Sequence, residues 1–238
     1  MYSRLYHYLS INHILSDSQF GVRRNHSTCL ALINVIDEIY QHIDNRDKVL
    51  GMYLDLQKAY DSIDHDILLF KLYTYGTRGK IFDWFKDYLS NRSQYVCVNS
   101  AISNALNVNC GVPQGSVLGP LLFLLYVNDI ENCIPNITVK LYADDTNLFI
   151  FGKKVDDLIR NGERYVSDLN LNKWFNVNRL CLNIDKTCYT VLGVPDCDKN
   201  SIKLKLNDIE LQQAESTKYL GIIIDSHLTW EKHIDFLY

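Results

Sequence analysis

The tightest constraint on this chain is a pair of short β-prone runs, residues 138–142 and 146–151, with only Ala143-Asp144-Asp145 between them. Runs of this length around so short a connection read as a β-hairpin. The fold must then contain an antiparallel pair whose tip carries two adjacent acids. Like charges held close oppose each other's ionisation unless a cation or solvent compensates. Successive strand residues point to opposite faces, so the two acids need not serve one site equally, and Asp144 is the better candidate for a metal contact. Another acid, in Tyr53-Leu54-Asp55-Leu56, lies near the end of an earlier run over residues 49–56 that reads as a strand. If the two strands are neighbours in one sheet, Asp55 and Asp144 converge. Oxygen donors of this kind suit Mg2+, and two such ions about 3.5–4 Å apart stabilise the attacking and leaving oxygens of an in-line displacement. With no clustered Cys or His, Mg2+ is favoured over zinc. A solvated loop is the plain alternative, because paired acids at turns are common.

Around this hairpin, strands and helices mix without regular βαβ spacing, which fits an α+β fold with helices backing an antiparallel sheet. Ser27 or Thr28 can cap a helix whose apolar positions are Leu30, Ile33, Ile36 and Tyr40. Asp64 is placed to cap a helix running through Ile67, Leu68 and Leu72 toward Gly76, and a second helix covers residues 80–89. Residues 91–93 read as a turn and 94–98 as a strand. Gly111-Val112-Pro113-Gln114-Gly115-Ser116 is neither helix nor central strand. The apolar run 117–127 after it, with Gly119-Pro120 near its start, has the length of a buried helix. One long helix is expected over residues 156–174, with Ile159, Val166, Leu169 and Phe175 on its apolar side. Strands are expected over 186–192, 202–206 and 219–224.

With 238 residues, 47% of them hydrophobic, the chain can bury one sizeable core or two joined lobes. No run approaches 18 apolar residues, so no membrane span is expected, and the N-terminus lacks the pattern of a secretory signal. The seven cysteines, at 29, 97, 110, 133, 181, 188 and 197, form no Cys-x-x-Cys pair and are odd in number. They are expected to be reduced thiols, mostly buried. The net charge of -4 points away from nucleic acid, although carboxylates that hold metal are themselves part of the acidic count.

Tyr142-Ala143-Asp144-Asp145 resembles the Tyr-x-Asp-Asp box of reverse transcriptases, and it stands in order with longer matches. Residues 53–65, YLDLQKAYDSIDH, are similar to the first catalytic segment of that family. Residues 111–123, GVPQGSVLGPLLF, are similar to its substrate-binding segment, and residues 19–28, QFGVRRNHST, to a fingers motif. Residues 183–187 and 218–225 match two later motifs. The resemblance covers about residues 10 to 235 and is strongest to the jockey-like, LINE-type branch of non-LTR retrotransposons.

This resemblance implies a right-hand polymerase with fingers at about 1–48 and 66–110, palm at about 49–65 and 111–225, and the start of the primer-grip and thumb junction at 218–238, the thumb itself being absent. It implies an RNA-directed DNA polymerase that adds deoxynucleotides to a primer 3′-hydroxyl. Asp55, Asp144 and Asp145 would bind two Mg2+ ions, with the main-chain carbonyl of Leu56 joining them and Mn2+ a possible substitute. Tyr60 matches the steric gate under the sugar. Gln114 and Gly115 match residues lining the nucleotide pocket. Arg23 matches the residue near the triphosphate, with Arg24 beside it. Lys186 matches a lysine that assists the leaving pyrophosphate, and Tyr219, Leu220 and Gly221 match the primer grip. Core filling by Tyr60 and Tyr219, and a solvated surface for Arg23 and Lys186, are the bland alternatives. Expected partners are an RNA template, a DNA primer and deoxynucleoside triphosphates, with a separate endonuclease domain in the full-length element and nuclear action for that element. The sequence departs from the family with Val22 in place of Phe and Gln57 in place of Ser, neither a metal ligand. Alternatives are a truncated, inactive remnant, a maturase-like or retron-like enzyme, or a non-catalytic nucleic-acid-binding module.

Overall fold

The computed structural model describes residues 1–166, 171–195, 202–206 and 208–238. These divide into two compact units. One comprises residues 1–16, 58–129 and 178–180, and the other 17–57, 130–177 and 181–238.

The first unit is built on the helices Tyr2–Ile11, His65–Thr74, Gly79–Leu89 and Gly119–Val127. The Asp64 carboxylate accepts the Ile67 N–H at 3.0 Å and so caps the second of these, as its position predicts. Gly119–Val127 is buried along nearly its whole length, which is why its sequence shows no polar face. At its end the Tyr126 hydroxyl donates to the Asn178 carbonyl at 2.6 Å and accepts the Asp64 N–H at 3.3 Å. Lys71 is buried, and its Nζ donates to Asp129 at 2.7 Å and to the Tyr126 carbonyl. Burial lowers the lysine's pKa, and Asp129 opposes that shift. The expected strand over 94–98 is instead part of a narrow ribbon. Ser93–Gln94 pairs with Leu106–Asn107, and Cys97–Val98 with Ala101–Ile102. The turn at Asn99 and Ser100 takes φ 46° and 70°.

The second unit holds a five-stranded sheet, formed by β1 (Lys48–Leu54), β2 (Thr138–Tyr142), β3 (Asp145–Gly152), β4 (Cys188–Leu192) and β5 (Gln212–Gln213), in the order β5-β4-β1-β3-β2. β2 and β3 form the expected hairpin. The sheet is not purely antiparallel as expected: β5 runs parallel to β4 at the edge, so the sheet is mixed. On one face the helix Thr28–Asp44 packs Val35 and Ile39 against Val49, Tyr53 and Phe149. On the other, Gly162 of the helix Val155–Val166 lies against Leu50 and Ile150. Alternation along β1 and β3 explains this: odd positions serve one layer and even positions the other, so both faces are apolar.

Several expectations are corrected. Ser27 does cap the helix Thr28–Asp44, accepting the Leu30 N–H at 3.2 Å. Its buried line, however, is Ala31, Val35 and Ile39, while Leu30, Ile33 and Tyr40 are exposed. The helix is apolar on more than one side, and the smaller residues face the sheet. Of the helix expected over 156–174, the described residues form the helical stretches Val155–Val166 and Leu171–Val177, and residues 167–170, Leu169 among them, lie outside the described residues. Residues 219–224 are not one strand: β6 (Ser216–Tyr219) and β7 (Ile222–Asp225) form a hairpin, and Leu220 and Gly221 turn it with φ 46° and 94°. The strand expected over 186–192 begins at Cys188, and only Lys205–Leu206 of the run 202–206 is strand. The cysteines are not mostly buried: Cys29, Cys97, Cys110 and Cys181 are exposed, Cys133 and Cys188 partly so, and Cys197 lies outside the described residues. The four exposed ones sit on loops, a helix start and the ribbon, while Cys188 begins β4 and packs against the core. Among the described residues no helix is long and apolar enough to cross a membrane.

After β7 the chain is tied by one carboxylate. Buried Asp225 accepts the N–H groups of His227 and Thr229 at 3.0 Å and Trp230 at 2.9 Å, and the Thr229 hydroxyl at 3.2 Å. Desolvation pushes its pKa up, but these donors outweigh it and hold it below the ordinary 3.8. Asp225→Ala is expected to destabilise the protein by about 2 kcal/mol. Because the folded pKa is depressed, the stabilisation is complete above the unfolded-state value and is lost as pH falls through the folded one. Denaturant melts of parent and variant should therefore differ most near neutrality and converge in strong acid.

Candidate active site

The β2–β3 hairpin closes at the pair Tyr142 and Asp145, leaving Ala143 and Asp144 as the turn. Ala143 takes φ 55°, the left-handed conformation that tight hairpins need. β1 pairs antiparallel with β3 up to Leu54 opposite Thr146. Continuing that register sets Asp55 beside Asp145, while Asp144 occupies the tip. Asp145 is open to solvent, yet the protein around its carboxyl strips away part of its water. That desolvation, followed by the charges of Asp144 and then Asp55, raises its pKa. Asp145 therefore senses an acid of its own turn and one on a strand far away in sequence.

Asp55 is held by backbone rather than by its carboxylate. Its N–H donates to the hydroxyl of fully buried Thr187 at 3.3 Å, and its carbonyl accepts the Asn183 N–H at 2.8 Å. Leu56 bridges to Leu182, and the Gln57 N–H donates to the Cys181 carbonyl at 2.8 Å. The segment 181–187 thus brackets the aspartate. Lys186 stands exposed on its turn, with its backbone N–H donated to Asn183. Thr187 and Asn183 lay within a segment whose pattern was legible, but the pattern does not say what they touch.

Arg23 folds back along its own segment. Its guanidinium donates to the Gln19 carbonyl at 3.4 Å and lies 3.7 Å from Asp17. Tyr219 is buried beside Tyr53 and Phe149 in the core under the helix Thr28–Asp44. Burial, then the Asp145 and Tyr53 groups, push its phenol well above the usual range, and among the described residues its hydroxyl has no hydrogen-bond partner. Leu220 and Gly221 form the turn that follows. Tyr60, Gln114 and Gly115 belong to the first unit. There Tyr60 stacks on Phe123 at 4.6 Å between centroids, Gln114 donates from Nε2 to Asp61 at 2.9 Å, and Gly115 sits at φ 77° in open space.

The donor chemistry fits a hard divalent cation. The site offers the oxygen donors of Asp55, Asp144 and Asp145, with the Leu56 carbonyl beside them, and the repulsion among the carboxylates is the strain a cation relieves. The side chains are not drawn into a closed cage: among the described residues no group of three or more His, Cys, Asp or Glu converges to hold a metal ion.

The sequence profile of the reverse transcriptase (RNA-dependent DNA polymerase) family matches residues 1–224. The chain is 29% identical over 241 residues to a probable RNA-directed DNA polymerase from transposon BS of Drosophila melanogaster, covering 98% of this chain and 26% of that protein. It is 27% identical over 225 residues to the RNA-directed DNA polymerase from mobile element jockey of the same organism, covering 91% of this chain and 24% of that one. It therefore spans about a quarter of the length of the curated relatives it matches. Among solved structures, telomerase from Candida albicans, in complex with a fragment of telomeric RNA, superposes with a TM-score of 0.62 at 11% identity over 94% of this chain and 37% of that one. Telomerase from Candida tropicalis, likewise with telomeric RNA, gives 0.60 at 13% identity over 96% and 36%. These two likenesses establish the fold alone: a mixed sheet backed by helices.

Proposed function

Because the chain belongs to the reverse transcriptase family, in its jockey-like non-LTR retrotransposon branch, we propose that it carries the centre that adds deoxynucleotides to a primer 3′-hydroxyl on an RNA template. The observation that carries this reading is the β1–β3 register, which ends with Leu54 opposite Thr146 and so directs Asp55 toward the Asp144–Asp145 turn, together with the upward shift of Asp145, caused first by desolvation and then by the charges of Asp144 and Asp55. Asp55, Asp144, Asp145 and the Leu56 carbonyl are the groups that would hold two Mg2+ ions, with Mn2+ as a substitute. Such ions, when bound, favour ionisation of the attacking hydroxyl and neutralise charge on the triphosphate.

The remaining roles fall to the chain's own side chains. Arg23, once released from Asp17 and the Gln19 carbonyl, presents a planar fork of donors suited to phosphate oxygens. Tyr60 lies under the sugar and disfavours a 2′-hydroxyl, with Gln114 and Gly115 lining the nucleotide pocket. Lys186, exposed on its turn, supplies positive charge to the departing pyrophosphate. Tyr219, Leu220 and Gly221 support the primer end, Tyr219 from beneath as a packed base. On this reading the fingers span about 1–48 and 66–110, the palm about 49–65 and 111–225, and the primer-grip junction 218–238. The DNA primer, the RNA template and an endonuclease domain elsewhere in the element complete the proposed machinery.

Incorporation of dTMP on a poly(rA)/oligo(dT) duplex tests the reading. Extension is expected with Mg2+, to stop when EDTA exceeds the metal, and to return on adding Mg2+ or Mn2+. Extension that survives chelation, or no extension with either metal, overturns it.

A further inference from the structure

The turn that carries Asp144 is held from outside the hairpin. Residues 18–20 run parallel to β2 along the free edge of the sheet. The Leu141 N–H donates to the Ser18 carbonyl and the Phe20 N–H to the Leu141 carbonyl, both at 2.8 Å. Between them Gln19, only 2% exposed, turns its carboxamide toward the hairpin tip. Its Oε1 accepts two backbone donors, the Gly21 N–H at 2.7 Å and the Ala143 N–H at 3.0 Å. The orientation of the amide follows from chemistry: two N–H groups require the oxygen, and the NH2 reversed onto them would meet donors with a donor. Gln19 Nε2 is left buried without a partner among the described residues. A side chain that leaves one of its own donors unsatisfied in order to hold two main-chain groups is placed for that second task. Gly21 makes the contact possible, since a Cβ there would lie 2.3 Å from the Ala143 nitrogen.

We propose that Gln19 is a positioning residue, which fixes the left-handed Ala143 turn and so sets where Asp144 and Asp145 stand. The inference rests on the polymerase reading for its functional meaning, though its physical content does not. The same segment carries Arg23, whose guanidinium lies on the Gln19 carbonyl. One short strap thus carries both the Arg23 contact and the side chain that holds the hairpin turn.

The test compares the full chain with Gln19→Met, similar in size but with no acceptor, Gln19→Glu, which keeps an acceptor oxygen at the same reach, and Gly21→Ala, which forces the strap off Ala143. Amide hydrogen exchange by NMR is the first readout and needs no turnover. Ala143 exchange should quicken about tenfold in Gln19→Met, the loss of one buried hydrogen bond, and in Gly21→Ala, while β1 and β4 amides stay at the parent rate. Gln19→Glu should retain protection. Mn2+ binding followed by electron paramagnetic resonance should weaken in the first two variants. In primer extension, kcat should fall about 10- to 100-fold, the effect of misplacing catalytic groups by an ångström or less, with KM for nucleotide unchanged. Unaltered Ala143 exchange in both Gln19→Met and Gly21→Ala, a rise in nucleotide KM alone, or global unfolding of both variants overturns the proposal. A parent chain that extends no primer but shows the exchange and Mn2+ effects refutes the polymerase reading and leaves the positioning role standing.

Discussion

Asp144→Ala is expected to lower Mg2+-dependent primer extension by about 10³-fold or more, the scale of loss when a preorganised charge-stabilising group leaves an active site. The same substitution should leave the metal-free protein at least as stable as the parent. Asp145 carries a pKa raised by desolvation and by the charges of Asp144 and Asp55. A carboxyl whose folded pKa lies above its unfolded value makes the folded state bind more protons, so its contribution to stability declines as pH rises from the unfolded value through the folded one. Removing Asp144 takes away one of the two like charges and shrinks that decline. Thermal melts at pH 4 and pH 7 without divalent metal should show a smaller pH penalty in the variant, and carboxyl NMR titration should place Asp145 closer to its ordinary value. Extension at the parent rate would remove Asp144 from the catalytic assignment. An unchanged Asp145 titration would show that the two charges do not interact.

The second large effect is structural. Gly111→Ala should destabilise the first unit by about 3 kcal/mol, from backbone strain and overpacking together. Gly111 holds φ 81°, and a Cβ would stand 2.9 Å from both the Cα and the carbonyl oxygen of Asp61. Backbone atoms cannot turn aside as a flexible side chain can. The contact also has little slack: the Gly111 N–H donates to the Ile63 carbonyl at 2.7 Å, its own carbonyl accepts from His65 Nε2 at 2.8 Å, and the Val112 N–H donates to the Tyr60 carbonyl at 3.0 Å. Differential scanning calorimetry should find the melting temperature lowered by more than about 10 °C, given roughly 4–8 °C per kcal/mol for a unit of this size. A shift within about 2 °C, below what 1 kcal/mol produces, would mean that the 111–114 segment can slide away from Asp61. Tyr60 and Gln114 would then not be fixed by that contact.

Local chemistry made much of this molecule legible. Asp64 and the Ser27-Thr28 pair mark two helix starts because a short polar side chain before an apolar run has one common use, and the structure gives the second cap to Ser27. Residues 138–142 and 146–151 announced their hairpin, and the buried Gly119–Val127 helix was readable from its length and unbroken apolarity. The face of the Thr28–Asp44 helix was not readable. Leu30, Ile33 and Tyr40 outweigh Ala31, Val35 and Ile39 in bulk, but only the shape of the sheet decides which side can approach it. The hairpin turn at Leu220 and Gly221 was hidden for a related reason: continuous β-prone sequence does not state where a chain reverses.

The site divides in the same way. The sequence by itself determined which groups stand at the proposed site: carboxylates at Asp55, Asp144 and Asp145, a guanidinium at Arg23, and Tyr60 and Gln114 within the segments that carry the resemblance. Carboxylate, guanidinium and ring are properties of the residue, and order along the chain carries the family. Tertiary structure alone decided how those residues are held. The β1–β3 register, ending with Leu54 opposite Thr146, directs Asp55 toward Asp145, Thr187 and Asn183 fasten the Asp55 backbone, and Gln19 reaches Ala143 from 124 positions away. Hydrogen-bond partners so distant in sequence are joined only when the chain closes into its fold. That closure depends on packing both faces of the sheet, which leaves no periodic trace at the positions it brings together.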